Sequence, residues 1–201
     1  MVSSEILKFL FSEQAIYTKN LIGSCLADLP DAMHIQAKLA RNHEEIIKIL
    51  GYNHKTFNSL INERINSIVG VVLGAKSGIP SHFDKSVREL FKTSDELVKK
   101  LNLPQEELKQ VLKAQNQYII DITLARLGGE YLNEIKIFDE FHIEMVNIVD
   151  MFNRVDCNCY ILLYLFLLVI VVVLIFYLFI RCYYSNYILF NSSMSHPASL
   201  K

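Results

Sequence analysis

Tryptophan is absent from this 201-residue chain, and cysteine and proline appear only four times each. A single cysteine, Cys25, falls in the first 150 residues, which excludes a disulfide framework there. Neither sign of charge dominates: 20 Lys and Arg stand against 21 Asp and Glu, so the chain is no general nucleic-acid binder and no nucleic acid is expected as a partner. No stretch shows sustained period-two alternation, which excludes a sheet-based domain. Residues 1–14 (MVSSEILKFLFSEQ) lack a basic n-region, a continuous apolar run and a small-residue cleavage site, so they are not a secretory signal. Signatures of catalysis are missing too. No Ser or Cys sits in a nucleophile motif, and GVVLGAKSG at residues 70–78 lacks phosphate-loop spacing. Cys157-Asn158-Cys159 is too short and partnerless for zinc. No cofactor is expected.

What the chain does have is one long apolar run. Tyr160 to Ile180 (YILLYLFLLVIVVVLIFYLFI) holds 21 residues without a charge, Gly or Pro, 18 of them Ile, Leu, Val or Phe. As a helix it would rise about 31 Å, roughly the hydrocarbon thickness of a bilayer. Its insertion is favoured by about −5 to −10 kcal/mol. With no signal upstream, a tail-anchored, single-pass topology is expected: residues 1–155 a cytosolic bundle, 156–182 a juxtamembrane segment and membrane helix, 183–201 a short polar and aromatic tail. The expected partners are a lipid bilayer and an unknown protein. Cys157, Cys159 and Cys182 edge the run, where cysteines can be palmitoylated. Asn191-Ser192-Ser193 is a glycosylation sequon about ten residues beyond it.

The rest reads as helices at period 3.6. The first is expected from about Ser3 to Leu29, ended by Leu29-Pro30-Asp31. A second runs to Leu50 with Gly51 as its stop. A third starts after Asn53 and runs to about Lys76, before a loop at Ser77-Gly78-Ile79-Pro80-Ser81. Two short helices should follow, Phe83 to Lys92 and then, capped by Thr93 or Ser94, a piece through Leu101. Pro104 suits the start of a helix to Leu127. After Gly128-Gly129 a last helix begins at Glu130 and could run unbroken into the apolar run. No internal repeat or low-complexity segment stands out. The fold expected is an all-α, up-and-down bundle of four main helices plus short ones, with a C-terminal membrane helix.

The apolar stripes carry interruptions. In the first helix the stripe of Leu7, Leu10, Tyr17 and Leu21 passes through Gln14. In the second, Ile35, Leu39, Ile46 and Leu50 leave Asn42 or His43 on the same face. Arg64 lies on the third helix's stripe of Phe57, Leu60, Ile61, Ile68 and Val72. Gln115 lies among Leu108, Leu112, Ile119 and Ile122, and His142 among Ile135, Phe138, Met145, Val149 and Phe152. Buried polar groups must be paired, and a lone buried Arg is costly. These five side chains reach water at stripe edges, form a network that fixes helix register, or form a polar pocket for a small ligand. A metal centre needs more: Asp31-x-x-His34 and Asp139-x-x-His142 have the i, i+3 spacing, with Glu13 and Glu63 as possible additions. Asp31 is better read as a helix cap, and Glu13 and Glu63 lie beside their stripes. Asp139 and His142 remain as weak metal candidates, and no metal is expected.

Thr18-Lys19-x-x-Ile22, Leu29-Pro30-Asp31, Leu39-Ala40-Arg41-Asn42, Ala75-Lys76-Ser77-Gly78, residues 125–131 (ARLGGEY) and residues 139–150 together resemble a family of uncharacterised, wholly helical bacterial and large-DNA-virus proteins of about 150 residues. The resemblance covers residues 13–150 and implies the all-helical fold, with the membrane run as an addition. It implies Glu-His pairs in three helices of the relatives, where this chain reads Glu13-Gln14, Glu63-Arg64 and Ala114-Gln115. A metal or ligand centre built on those histidines would keep its layer here and lose its ligands. The function expected is a non-enzymatic, tail-anchored scaffold or interaction module, with a large virus as one expected source. The alternative is a ligand- or metal-binding bundle, even an enzyme, that uses the polar layer. Convergence of Gln14, Arg64, Gln115 and His142 on one cavity would favour the alternative.

Overall fold

The computed structural model describes residues 4–101, 105–152 and 168–170. Every regular element among them is helical: α1 (Ser4–Leu26), α2 (Ala32–Ile49), α3 (His54–Lys76), α4 (Pro80–Lys100) and α5 (Gln105–Leu127), then α6, whose described part covers residues 131–152. Two compact units divide the chain, Met1–Val155 and Asp156–Lys201.

Helix ends follow local chemistry. Asn53 caps α3 by accepting from the Lys55 amide. Gly51 closes α2 at φ +82°, with its amide on the Lys48 carbonyl and the Tyr52 amide on that of Ile47. Asp31 precedes α2 but makes no cap bond through its side chain, because its backbone is already helical and a capping side chain needs an extended one. Pro80 is not part of a loop; it opens α4, where a missing N–H costs nothing.

The expected pair of short helices is one 21-residue helix, α4. Thr93 and Ser94 do not cap a new start: their hydroxyls donate back to the Leu90 carbonyl within the helix. Among the described residues the bundle therefore has six long helices, not four plus short ones.

Sequential helices pack antiparallel, as the cross-links show: Asn42 to Leu10, Gln36 to Asn66, Arg64 to Asn116 by way of Ser94, and Tyr118 to Phe141. The up-and-down order is then closed by α6 against α1, through Ser12–His142 and the stacked Phe11–Phe152 pair. Helices α1, α3 and α5 also pack against one another. They form an inner triangle, with α2, α4 and α6 in the grooves outside. This explains the sequence patterns: α4 and α2 are one-sided, whereas α1, α3 and α5 bury residues around more of their circumference.

The arrangement is a threefold repeat of helical hairpins that residue identity hides. Each inner helix has 23 residues, with starts 50 and 51 positions apart. Leu7, Phe57 and Leu108 are equivalent and buried, as are Leu21, Val71 and Ile122. Asp28, Gly78 and Gly129 all follow their helices at positive φ (+52°, +66° and +73°). Close approach is tightest between α3 and α4: a Cβ on Gly74 would lie 3.0 Å from Phe83 Cα and 3.1 Å from the His82 carbonyl oxygen.

Among the described residues no helix is long and apolar enough to cross a membrane. The run Tyr160 to Ile180 lies outside them except for Leu168, Val169 and Ile170, which are helical and exposed. Cys157, Cys159, Cys182, Asn191, Pro104 and the join between α6 and the run also lie outside the described residues.

Candidate functional site

Counting from Ser4, His54 and Gln105, the side chains Gln14, Arg64 and Gln115 are each the eleventh residue of an inner helix. The hairpin repeat thus puts one polar group per inner helix at the same height. All three are buried, with relative exposures of 8, 3 and 3 %. They line one cavity of about 70 Å³ together with His43. Its remaining wall is apolar and includes Phe11, Ile61, Leu97, Leu112 and Phe152.

Arg64 is held by neutral partners. Its Nη1 donates to Ser94 Oγ and, at 3.0 Å, to Asn116 Oδ1. Ser94 spends its proton on the Leu90 carbonyl and accepts from Asn116 Nδ2 at 2.9 Å. No carboxylate among the described residues forms an ion pair with Arg64. Burial lowers its pKa to about 10, so it stays cationic at neutral pH.

His43 has a defined tautomer. Nδ1 lies 2.8 Å from the Leu39 carbonyl, which can only accept, so Nδ1 carries the proton. Nε2 then accepts from Gln14 Nε2 at 2.8 Å. Burial pushes the His43 pKa down to about 4, the bond to Leu39 opposes that, and the Arg64 charge adds to the lowering. The ring is neutral at pH 7. Gln14 Oε1 is left buried without a hydrogen-bond partner among the described residues.

Two of the five expected site residues stand elsewhere. Asn42 is buried but ties α2 to α1, donating to the Leu10 carbonyl at 3.0 Å, and its neighbour His43 takes the place at the cavity. His142 is half-buried and meets Ser12 Oγ at 2.7 Å, away from the lining. The buried face of α6 holds Met145, Val149 and Phe152 of the expected stripe together with Phe141 and Ile148, while Ile135 is exposed. The face extends towards Phe141 and Ile148, which leaves His142 at its margin. Asp139 is exposed, and no group of three metal-ligating side chains occurs among the described residues.

Ser94 and Asn116 complete the layer. Ser94 reads as a cap in sequence, and Asn116 sits beside Gln115 on the row Leu112, Asn116, Ile119, Thr123, all buried. That row, at spacings of three and four, was the signal available for Asn116.

A larger open groove of about 490 Å³ runs between α3 and α4. Its Glu63, Lys85, Glu89 and Lys92 are solvated charges, with Lys92 and Glu89 paired at 3.8 Å, so the interior cavity is the better-built site. The polar side chains of that cavity are the Arg64 guanidinium, the Gln14 and Gln115 amides and the His43 imidazole.

No protein-family model, curated protein or solved structure matches this chain, and its function is read from the geometry of this cavity.

Proposed function

We propose that the bundle is a small-ligand-binding module, carried on a membrane by residues 160–180 as a single-pass anchor with the bundle on the cytosolic side. The observation that carries the binding role is the convergence of Gln14, Arg64 and Gln115, one from each inner helix, on one cavity. A layer that only fixed helix register would pair its members with one another. Gln14 Oε1 instead is buried with no hydrogen-bond partner among the described residues. The length and apolarity of the run at 160–180 support the anchor.

Native mass spectrometry of the full chain released from non-ionic detergent tests the binding role. A small adduct is expected on the wild type and not on Gln115→Leu; equal spectra would remove the reading. Protease added to intact membranes should digest residues 1–155 from the cytosolic side, and protection of that domain would overturn the topology.

An interaction role is favoured by a separate observation. Phe9 and Ile16 of α1, and Leu132, Ile135 and Ile143 of α6, are exposed on two adjacent helices, Leu132 by 86 %. Pull-down with the wild type and with Phe9→Ser/Ile143→Ser tests it, and identical captured proteins would discard this surface.

A further inference from the structure

Charge and size define what the cavity takes. Arg64 is 3 % exposed and cationic, and its hydrogen-bond partners, Ser94 and Asn116, are both neutral. A buried cation without an opposite charge is costly, and an anion at its side offsets that cost. Only Nη1 of the guanidinium is engaged by described residues; Nε and Nη2 are not. That edge presents two parallel donors, the geometry that fits a planar carboxylate. Gln14 Oε1, buried and unpartnered, asks for a donor, and the Gln115 amide can serve as donor or acceptor.

Size narrows the choice. An apolar cavity of about 150 Å³ holds benzene, six non-hydrogen atoms, so a cavity of about 70 Å³ holds roughly three or four. Formate, acetate and hydrogencarbonate have that size. Hydrogencarbonate alone of these offers oxygens to Arg64 and an O–H to Gln14.

We propose that the cavity binds a small planar oxyanion of the carboxylate or hydrogencarbonate class, held by Arg64 with the amides of Gln14 and Gln115. This rests on the cavity being a ligand site.

The test is thermal melting of the full chain in non-ionic detergent. Ionic strength is held with sodium gluconate, an anion too large for the cavity. Sodium hydrogencarbonate, formate and acetate are compared with formamide and acetamide, their neutral isosteres. At tenfold excess over Kd the anions raise the midpoint by about 3–5 °C, hydrogencarbonate at the lowest concentration, and the amides do not. Arg64→Met and Gln115→Leu, checked for helicity by circular dichroism, lose the response. Amides that stabilise as well as the anions would overturn the charge selection and leave the ligand site standing. No shift with either class would end both readings. An equal anion response in Arg64→Met would assign the effect to the surface and overturn the proposal.

Discussion

Nη1 of Arg64 donates to Oδ1 of Asn116 at 3.0 Å, so a buried cation on α3 is held by an amide on α5. The bond links two inner helices at their midpoints, and its energetics are unequal from the two sides.

Asn116→Ala should cost about 2–4 kcal/mol, because it removes a charge-assisted bond and leaves the guanidinium less compensated. Arg64→Met should be near neutral or stabilising by about 1–3 kcal/mol without ligand, since the methionine fills the site and Ser94 and Asn116 still bond each other. Urea denaturation of the two variants gives the comparison. Equal losses would mean that Arg64 is a structural tie.

Gln115→Leu should also be tolerated, changing stability by less than about 1 kcal/mol. The glutamine faces a cavity whose wall is mostly apolar, and leucine adds apolar contact in the layer. A loss above 3 kcal/mol in the same melts would show that the amide is committed to the fold.

His43 makes the bundle acid-sensitive in a defined window. Its folded pKa of about 4 lies below its ordinary 6.5. Between those values the unfolded chain binds a proton that the native state does not. Stability is therefore full above pH 6.5, falls as pH drops towards 4, and levels off below that. The loss attributable to this ring reaches up to about 3 kcal/mol. Chemical denaturation from pH 7 to 4 should show a shallower fall in His43→Gln than in the wild type. Parallel profiles would refute the assignment.

Two glycines should fail for different reasons. Gly74→Ala drives a Cβ to 3.0 Å from the Phe83 backbone and should cost about 1–3 kcal/mol despite the better helix former. Gly78→Ala meets nothing within 4 Å but sits at φ +66°, and should cost about 1 kcal/mol through backbone strain alone. Substituting Asn is the discriminating measurement: it should recover part of the loss at 78, where Asn tolerates the left-handed region, and none at 74.

Much of this fold was legible in sequence. Period 3.6 located the helices, and Asn53, Gly51 and Gly128-Gly129 marked boundaries. Gln14, Arg64 and Gln115 stood out as breaks in apolar stripes, and all three are buried at the cavity. The failures share a cause: one residue type serves two local geometries. A Ser or Thr hydroxyl that caps a helix can also bond back within one, so Thr93 and Ser94 suggested an end where α4 continues. The width of a helix's core face is decided by its neighbours, so Met145, Val149 and Phe152 are buried as their period implies while His142 lies at the margin of that face. The hairpin repeat stayed hidden because its equivalent positions share burial and not identity, as Leu7, Phe57 and Leu108 show.

The contact between α1 and α6 closes a ring that the covalent chain leaves open. Lys8 meets Asp150 at 3.5 Å and Phe11 stacks on Phe152, so residues 150–152 lie beside the first turns of α1. Each hairpin therefore has a neighbour on both sides, as in a closed circle of three. Such a circle has no privileged opening. A circularly permuted bundle, joined between α6 and α1 and cut at the Gly51 turn, would keep every helix neighbour and the whole polar layer.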